Sequence, residues 1–103
     1  MATHINIMQT QTLVKPAGVE FFNPTGDDRF ENFVKSLPGF VSYSKSFLDA
    51  NTKVQEITWA TNEAWVNYQD QAATNQMMID NIAYNRANGI TWSGVVTDIP
   101  VEI

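Results

Sequence analysis

The sequence predicts an α+β domain of ferredoxin-like order, β-α-β-β-α-β, built on one antiparallel sheet. Three observations carry that prediction. A helical stripe ends at Leu37-Pro38-Gly39-Phe40, two strand-like segments follow across a turn at Asp49-Ala50-Asn51-Thr52, and Trp59-Ala60-Thr61-Asn62-Glu63-Ala64-Trp65 opens a second helix. One further strand-like segment at each end completes the order.

Residues 4–14 alternate loosely, with Ile5, Ile7 and Leu13 set against Asn6, Met8 and Val14, as expected of a strand partly buried on both faces. Lys15-Pro16-Ala17-Gly18 breaks this strand, Val19-Glu20-Phe21-Phe22 reads as a brief extended piece, and Asn23-Pro24-Thr25-Gly26 turns the chain again. Thr25 is placed to cap a helix whose first turn holds Asp27 and Asp28, where carboxylates are favoured by the positive end of the backbone dipole. Phe30, Phe33, Val34 and Leu37 give that helix its apolar stripe. Proline at position 38 ends it, because the residue before a proline avoids helical dihedrals.

Residues 40–49 read as strand two, with Val41, Tyr43 and Phe47 on one face and Phe40, Ser42, Ser44, Ser46 and Leu48 on the other. Residues 53–60 form strand three, its hairpin partner, with Val54, Glu56 and Thr58 opposite Gln55, Ile57 and Trp59. Thr61 is the expected cap of the second helix. Its stripe runs through Trp65, Tyr68, Ala72, Ile79, Ile82 and Arg86 and is interrupted near Ala73-Thr74-Asn75. Asn88-Gly89 is a helix stop, and residues 90–99 form a β-branched strand four closed by Pro100.

The chain has 103 residues, 44% of them hydrophobic, which suits one core and one domain spanning 1–103. Aromatic residues make up 12%, and Trp59, Trp65 and Trp92 need more covering surface than a thin single-sheet domain provides, so a partner or ligand is expected. A net charge of −5, with Lys15, Arg29, Lys35, Lys45, Lys53 and Arg86 scattered singly, argues against nucleic acid and anionic membrane surfaces as partners. The absence of cysteine excludes disulfides, thiolate metal sites and cysteine nucleophiles, and makes the cytoplasm the expected location. No basic-then-apolar leader and no stretch near the ~18 apolar residues of a membrane span is present.

Two stretches carry a resemblance: Pro38-Gly39-Phe40-Val41-Ser42-Tyr43 after helix one, and Glu56-Ile57-Thr58-Trp59-Ala60-Thr61-Asn62-Glu63-Ala64-Trp65 at the strand-to-helix junction. With the element order, they make the chain similar to the antibiotic biosynthesis monooxygenase-like family of the dimeric α+β barrel superfamily. That resemblance implies a homodimer in which the sheet faces turned away from the helices enclose a barrel. It further implies a small-molecule pocket between sheet and helices, a phenolic or polyketide-like substrate, and oxygenation without a cofactor, the substrate itself reducing oxygen.

The residues nearest to that family's site are Asn6, Trp59 and Tyr68. By resemblance Asn6 orients a carbonyl or bound oxygen species, Trp59 lines the pocket and Tyr68 hydrogen-bonds a phenolate, with His4 and Trp65 as further substrate contacts. His4 and Asn6 share a strand face, where an imidazole and a carboxamide can polarise one substrate oxygen. For Trp59 and Tyr68 core packing is the competing and favoured reading, since both fit their apolar stripes. In the related haem-degrading branch a haem-ligating histidine follows, and Met78 stands at the corresponding position here. Met77-Met78 is better read as core filler, so no haem is expected.

Asp27, Asp28 and Glu31 resemble a carboxylate metal site but fit a helix start, and no metal is expected. Ser42, Ser44 and Ser46 lack a histidine and carboxylate at a recognisable spacing, and no glycine-rich phosphate loop occurs. Hydrolase and nucleotide-binding chemistry are set aside. A second class stays open: a non-enzymatic ligand-binding or assembly protein that keeps the same barrel without a reactive centre.

Overall fold

The computed structural model describes residues 3–23 and 29–102. Along the chain they form β1 (Thr3–Val14), α1 (Arg29–Lys35), β2 (Phe40–Asp49), β3 (Thr52–Trp59), α2 (Asn62–Thr74), α3 (Gln76–Ala87) and β4 (Thr91–Glu102). The four strands make one sheet in the order β2-β3-β1-β4, every neighbouring pair antiparallel. This is the ferredoxin-like order with its second helix divided in two. The division falls at the predicted interruption, where Asn75 ends α2 and its side-chain oxygen accepts from Met78 N at 3.3 Å to cap α3.

The strand registers set four cross-strand rows on the face that meets the helices, since side chains two apart share a face. At one end stand Phe40, Trp59, Ile7 and Asp98, followed by Tyr43, Ile57, Gln9 and Val96. Next come Lys45, Gln55, Gln11 and Gly94, then Phe47, Lys53, Leu13 and Trp92. The face therefore changes along its length from aromatic and aliphatic to amide and cationic. The core forms over the apolar end, where Ile7, Ile57 and Trp59 meet Phe30 and Val34 of α1, Ala64 and Tyr68 of α2, and Met77 of α3.

Two expectations are corrected. Phe40 belongs with Tyr43 and Phe47 on the helix face, because an irregularity between Phe40 and Ser42 adds Val41 to β2 and reverses the alternation there. Pro100 does not close strand four: it pairs with Ile5 inside β4, which is tolerable because β4 is a sheet edge with no second neighbour needing the missing N–H. Residues 19–22 lie outside the sheet, with Phe21 packed on Phe47 and Phe22 on Tyr84, ring centroids 6.2 and 5.3 Å apart. The expected cap at Thr25, with Asp27 and Asp28, lies outside the described residues.

Helix ends follow the local chemistry. Thr61 caps α2, its hydroxyl accepting from Ala64 N at 3.0 Å. The chain leaves α3 through Gly89 at φ 71°, a left-handed conformation that lets Ile90 N reach back to Asn85 O at 2.9 Å. The β2–β3 turn is closed by Asn51 N donating to Asp49 Oδ1 at 2.8 Å, which holds the Asp49 carboxyl below its ordinary range. No helix among the described residues is long and apolar enough to cross a membrane.

Candidate functional site

Capping by Thr61 fixes the start of α2 so that Trp65 and Tyr68, three residues apart, lie over the end of β3. Tyr68 stacks on Trp59 with centroids 5.1 Å apart and 28° between the planes, and Trp65 flanks Tyr68 at 5.7 Å. Phe40 meets Trp59 edge-on at 6.1 Å, and Phe33 closes on Tyr68 at 6.2 Å. The cluster is filled by its own rings: Trp59 is 0% and Tyr68 6% exposed. Burial pushes the Tyr68 phenol up to about 12, so it remains protonated across the physiological range and can donate but not act as a phenolate. Trp59 Nε1 is buried with no hydrogen-bond partner among the described residues.

Asn6 and His4 occupy the other side of the sheet. Ile7 points into the core opposite Trp59, so strand alternation turns Asn6 away from the helices. His4 Nε2 donates to the Ala60 carbonyl. The five residues expected at a site are thus divided: Trp59, Trp65 and Tyr68 are packed together on one face, while His4 and Asn6 lie on the opposite one. Asn6 and Tyr68 do not converge, because a β-strand separates adjacent side chains by the thickness of the sheet.

Space for a ligand exists at the other end of the helix face. A cavity of about 570 Å³ lies between the last two cross-strand rows and α3, with residues 20–23 along its rim. Its apolar walls include Phe21, Phe30, Phe47, Met78, Ile82 and Trp92. Amide groups are supplied by Gln11, Gln55, Asn81 and Asn85, of which Gln55 and Asn85 are buried. Gln55 Nε2 donates to Tyr43 Oη at 3.0 Å, which fixes the orientation of that side chain. The rim loop is held by Tyr84 Oη donating to Glu20 O at 2.7 Å. None of His4, Asn6, Trp59, Trp65 or Tyr68 lines this cavity.

Part of this site was open to sequence reasoning. Lys53 and Gln55 alternate onto the same face as Ile57 and Trp59, so two polar side chains could be assigned to the helix side of β3. The contributions of Phe21, Phe22 and Asn81 had no such signal, since they depend on how a loop and a divided helix settle over the sheet. Met78, considered above as core filler or metal ligand, packs against the core and also forms cavity wall.

No protein-family model matches the sequence, and no curated protein does. Solved structures do match. SnoaB, a cofactor-independent oxygenase from Streptomyces nogalater, is similar with a TM-score of 0.63 and 18% identity over 97% of both chains. A proposed antibiotic biosynthesis monooxygenase from Deinococcus radiodurans gives 0.62 and 11% over 94% of this chain and 95% of that one. One from Bacillus cereus gives 0.51 and 16% over 97% of both. Likeness at such identities is one of architecture: the chain has the ferredoxin-like fold of the antibiotic biosynthesis monooxygenase-type proteins.

Proposed function

We propose that the protein pairs into a dimeric α+β barrel and binds a phenolic or polyketide-like aromatic substrate in the cavity between sheet and α3, oxygenating it without a cofactor. The cavity carries this reading: its volume is of ligand size, its walls are aromatic rings and flexible thioethers, and its amides can fix substrate oxygens. The fold shared with a cofactor-independent oxygenase supports the chemistry. In such a reaction the deprotonated phenol supplies the electrons. Dioxygen takes four of them, one oxygen atom becoming a new carbonyl at an activated ring methylene and the other leaving as water with the two displaced hydrogens. The role of the chain is then to hold the ring, stabilise the phenolate and exclude bulk water. Amide donors from Gln11, Gln55, Asn81 and Asn85 are placed for the second task.

The proposed site is this cavity and not the pair Asn6 and Tyr68. Oxygen uptake by purified protein with a panel of anthrones and polyphenols tests the reading, alongside Ile82→Trp, which fills the cavity from α3. Uptake that is lost in Ile82→Trp, with circular dichroism unchanged, supports it. Uptake that survives the filling but is lost in Asn6→Ala returns the site to the opposite face. Ligand binding with no uptake across the panel favours the non-enzymatic alternative.

A further inference from the structure

The side of α3 that meets the cavity includes Met78, Asn81, Ile82 and Asn85, spaced i, i+3, i+4 and i+7 so that one helix face carries them all. Two of the four are asparagines. Asn85 is the more enclosed, with 4% of its surface exposed, while Ile79 of the same helix is 44% exposed. Packing alone favours the reverse arrangement, because an amide withdrawn from water loses hydrogen bonds that an isoleucine never made.

The asparagines at the two ends of α3 have structural roles. Asn75 caps the helix start through Oδ1, and at the other end Asn88 Nδ2 donates to Tyr84 O at 2.8 Å. At position 85 the structural part belongs to the main chain, whose carbonyl accepts from Asn88 N at 3.3 Å and from Ile90 N at 2.9 Å, bonds that any residue would supply. The Asn85 carboxamide itself makes no hydrogen bond among the described residues. Gln55, nearly as buried at 6% and on the sheet wall of the cavity, differs in this respect, since its Nε2 is committed to Tyr43 Oη at 3.0 Å. A buried amide with no protein partner lowers stability unless something in the cavity answers it.

We infer that Asn85 is a specificity-determining residue of the cavity, its carboxamide kept there to bond a hydroxyl of an aromatic ligand. This rests on the cavity being the ligand site, and it names the residue that tells a hydroxylated ring from a plain one. A hydroxyl both donates and accepts, so it satisfies either end of the amide, and it enters without the cost of burying a charge. The Nδ2 hydrogens go on donating if that hydroxyl later ionises, which suits the phenolate chemistry proposed above. Rejection of the plain ring follows from the same burial, because a ligand that fills the cavity without a polar group leaves the amide cut off from water and unpaired.

Fluorescence titration with 2-naphthol and its apolar isostere 2-methylnaphthalene separates the hydroxyl from the ring. The wild-type protein is expected to bind the naphthol about tenfold more tightly, the range of one hydrogen bond to a buried group. In Asn85→Leu and in Asn85→Ala that ratio should fall to one or below. Without ligand, Asn85→Leu should melt about 4 °C above wild type, since an apolar side chain replaces an amide that has no protein partner. Gln55→Leu, which breaks the bond to Tyr43, should melt below it. Equal affinity for the two compounds in the wild-type protein overturns the inference while leaving the cavity as a ligand site. A naphthol preference that survives in both Asn85 variants overturns the assignment to Asn85, and a lowered melting temperature in Asn85→Leu overturns it by making the amide a structural group. Failure of both compounds to bind removes the cavity reading along with the inference.

Discussion

The indole of Trp59, at the end of β3, lies stacked on the phenol of Tyr68 in the second turn of α2, and neither ring reaches solvent to any extent. This contact joins sheet to helix at the apolar end of the fold, with Phe40 and Trp65 on its flanks. Trp59→Ala should therefore cost about 3 to 5 kcal/mol of unfolding free energy, the range for deleting a large buried ring. Chemical denaturation measures it. A change below 1 kcal/mol would show that the indole does not pack as described.

Tyr68 also makes stability depend on alkaline pH. Its phenol titrates near 10 when unfolded and is pushed up to about 12 in the fold by burial. Between those values the unfolded chain has released a proton that the folded chain retains, so the unfolded state binds fewer protons and stability falls as pH rises. Full stability holds below pH 10, and about 2 to 3 kcal/mol is lost by pH 12. Tyr68→Phe should remove this contribution to the slope even though it changes stability at pH 7. Denaturation midpoints of both proteins from pH 8 to pH 12 test the difference.

Gly39 sets the spacing between the start of β2 and α2. Its φ is 78°, its carbonyl accepts from Ala60 N at 2.8 Å, and a Cβ placed on it would stand 2.4 Å from the Cβ of Ala64. Left-handed backbone and steric overlap act together, and the obstacle is a short side chain on a helix that cannot swing away. Gly39→Ala is expected to destabilise by roughly 2 to 4 kcal/mol. Gly18→Ala, with a similar φ of 84° but open space around it, should cost less, and thermal melts of the pair separate overlap from backbone strain.

The order of elements was legible because each boundary carried its own signal: Pro38-Gly39, the Asp49-to-Thr52 turn, Thr61 and Asn88-Gly89 all sit where elements end or begin. Side-chain facing was legible where alternation was unbroken, as along β3. It failed at Phe40, where one added residue reverses every assignment before it, and at Pro100, whose acceptability depends on β4 lying at the sheet edge. The core role of Trp59 and Tyr68 followed from their stripes. Convergence of Asn6 with Tyr68 was expected from resemblance alone, and it is opposed by parity, since Ile7 already occupies the inward position beside Trp59. The gathering of Lys15, Arg29, Lys45 and Lys53 around the cavity could not be read along the chain at all. It arises from the β2–β3 hairpin, from the pairing of β1 with β3 that sets Lys15 beside it, and from the position of α1 over the sheet.

Pairing of two chains is the remaining prediction, and β4 motivates it. Val95 and Val96 point to opposite faces of this edge strand and are 63% and 50% exposed. Val96 extends the helix-side row beyond the reach of the helices. Val95 lies with Thr10 on the open face of the sheet, where Val14 is a further 44% exposed. An edge strand apolar on both sides is a surface prone to association, and a second copy lying against the open face would cover much of it. Light scattering should give twice the 11.6 kDa chain mass at micromolar concentration, where binding stronger than about −8 kcal/mol keeps the pair together. Val95→Glu places a charge in the contact and should raise the dissociation constant at least tenfold, with folding monitored by circular dichroism. A monomer in the wild-type protein at tens of micromolar would leave β4 exposed in solution and remove the barrel from the functional reading, while the cavity, formed within one chain, would keep its proposed role.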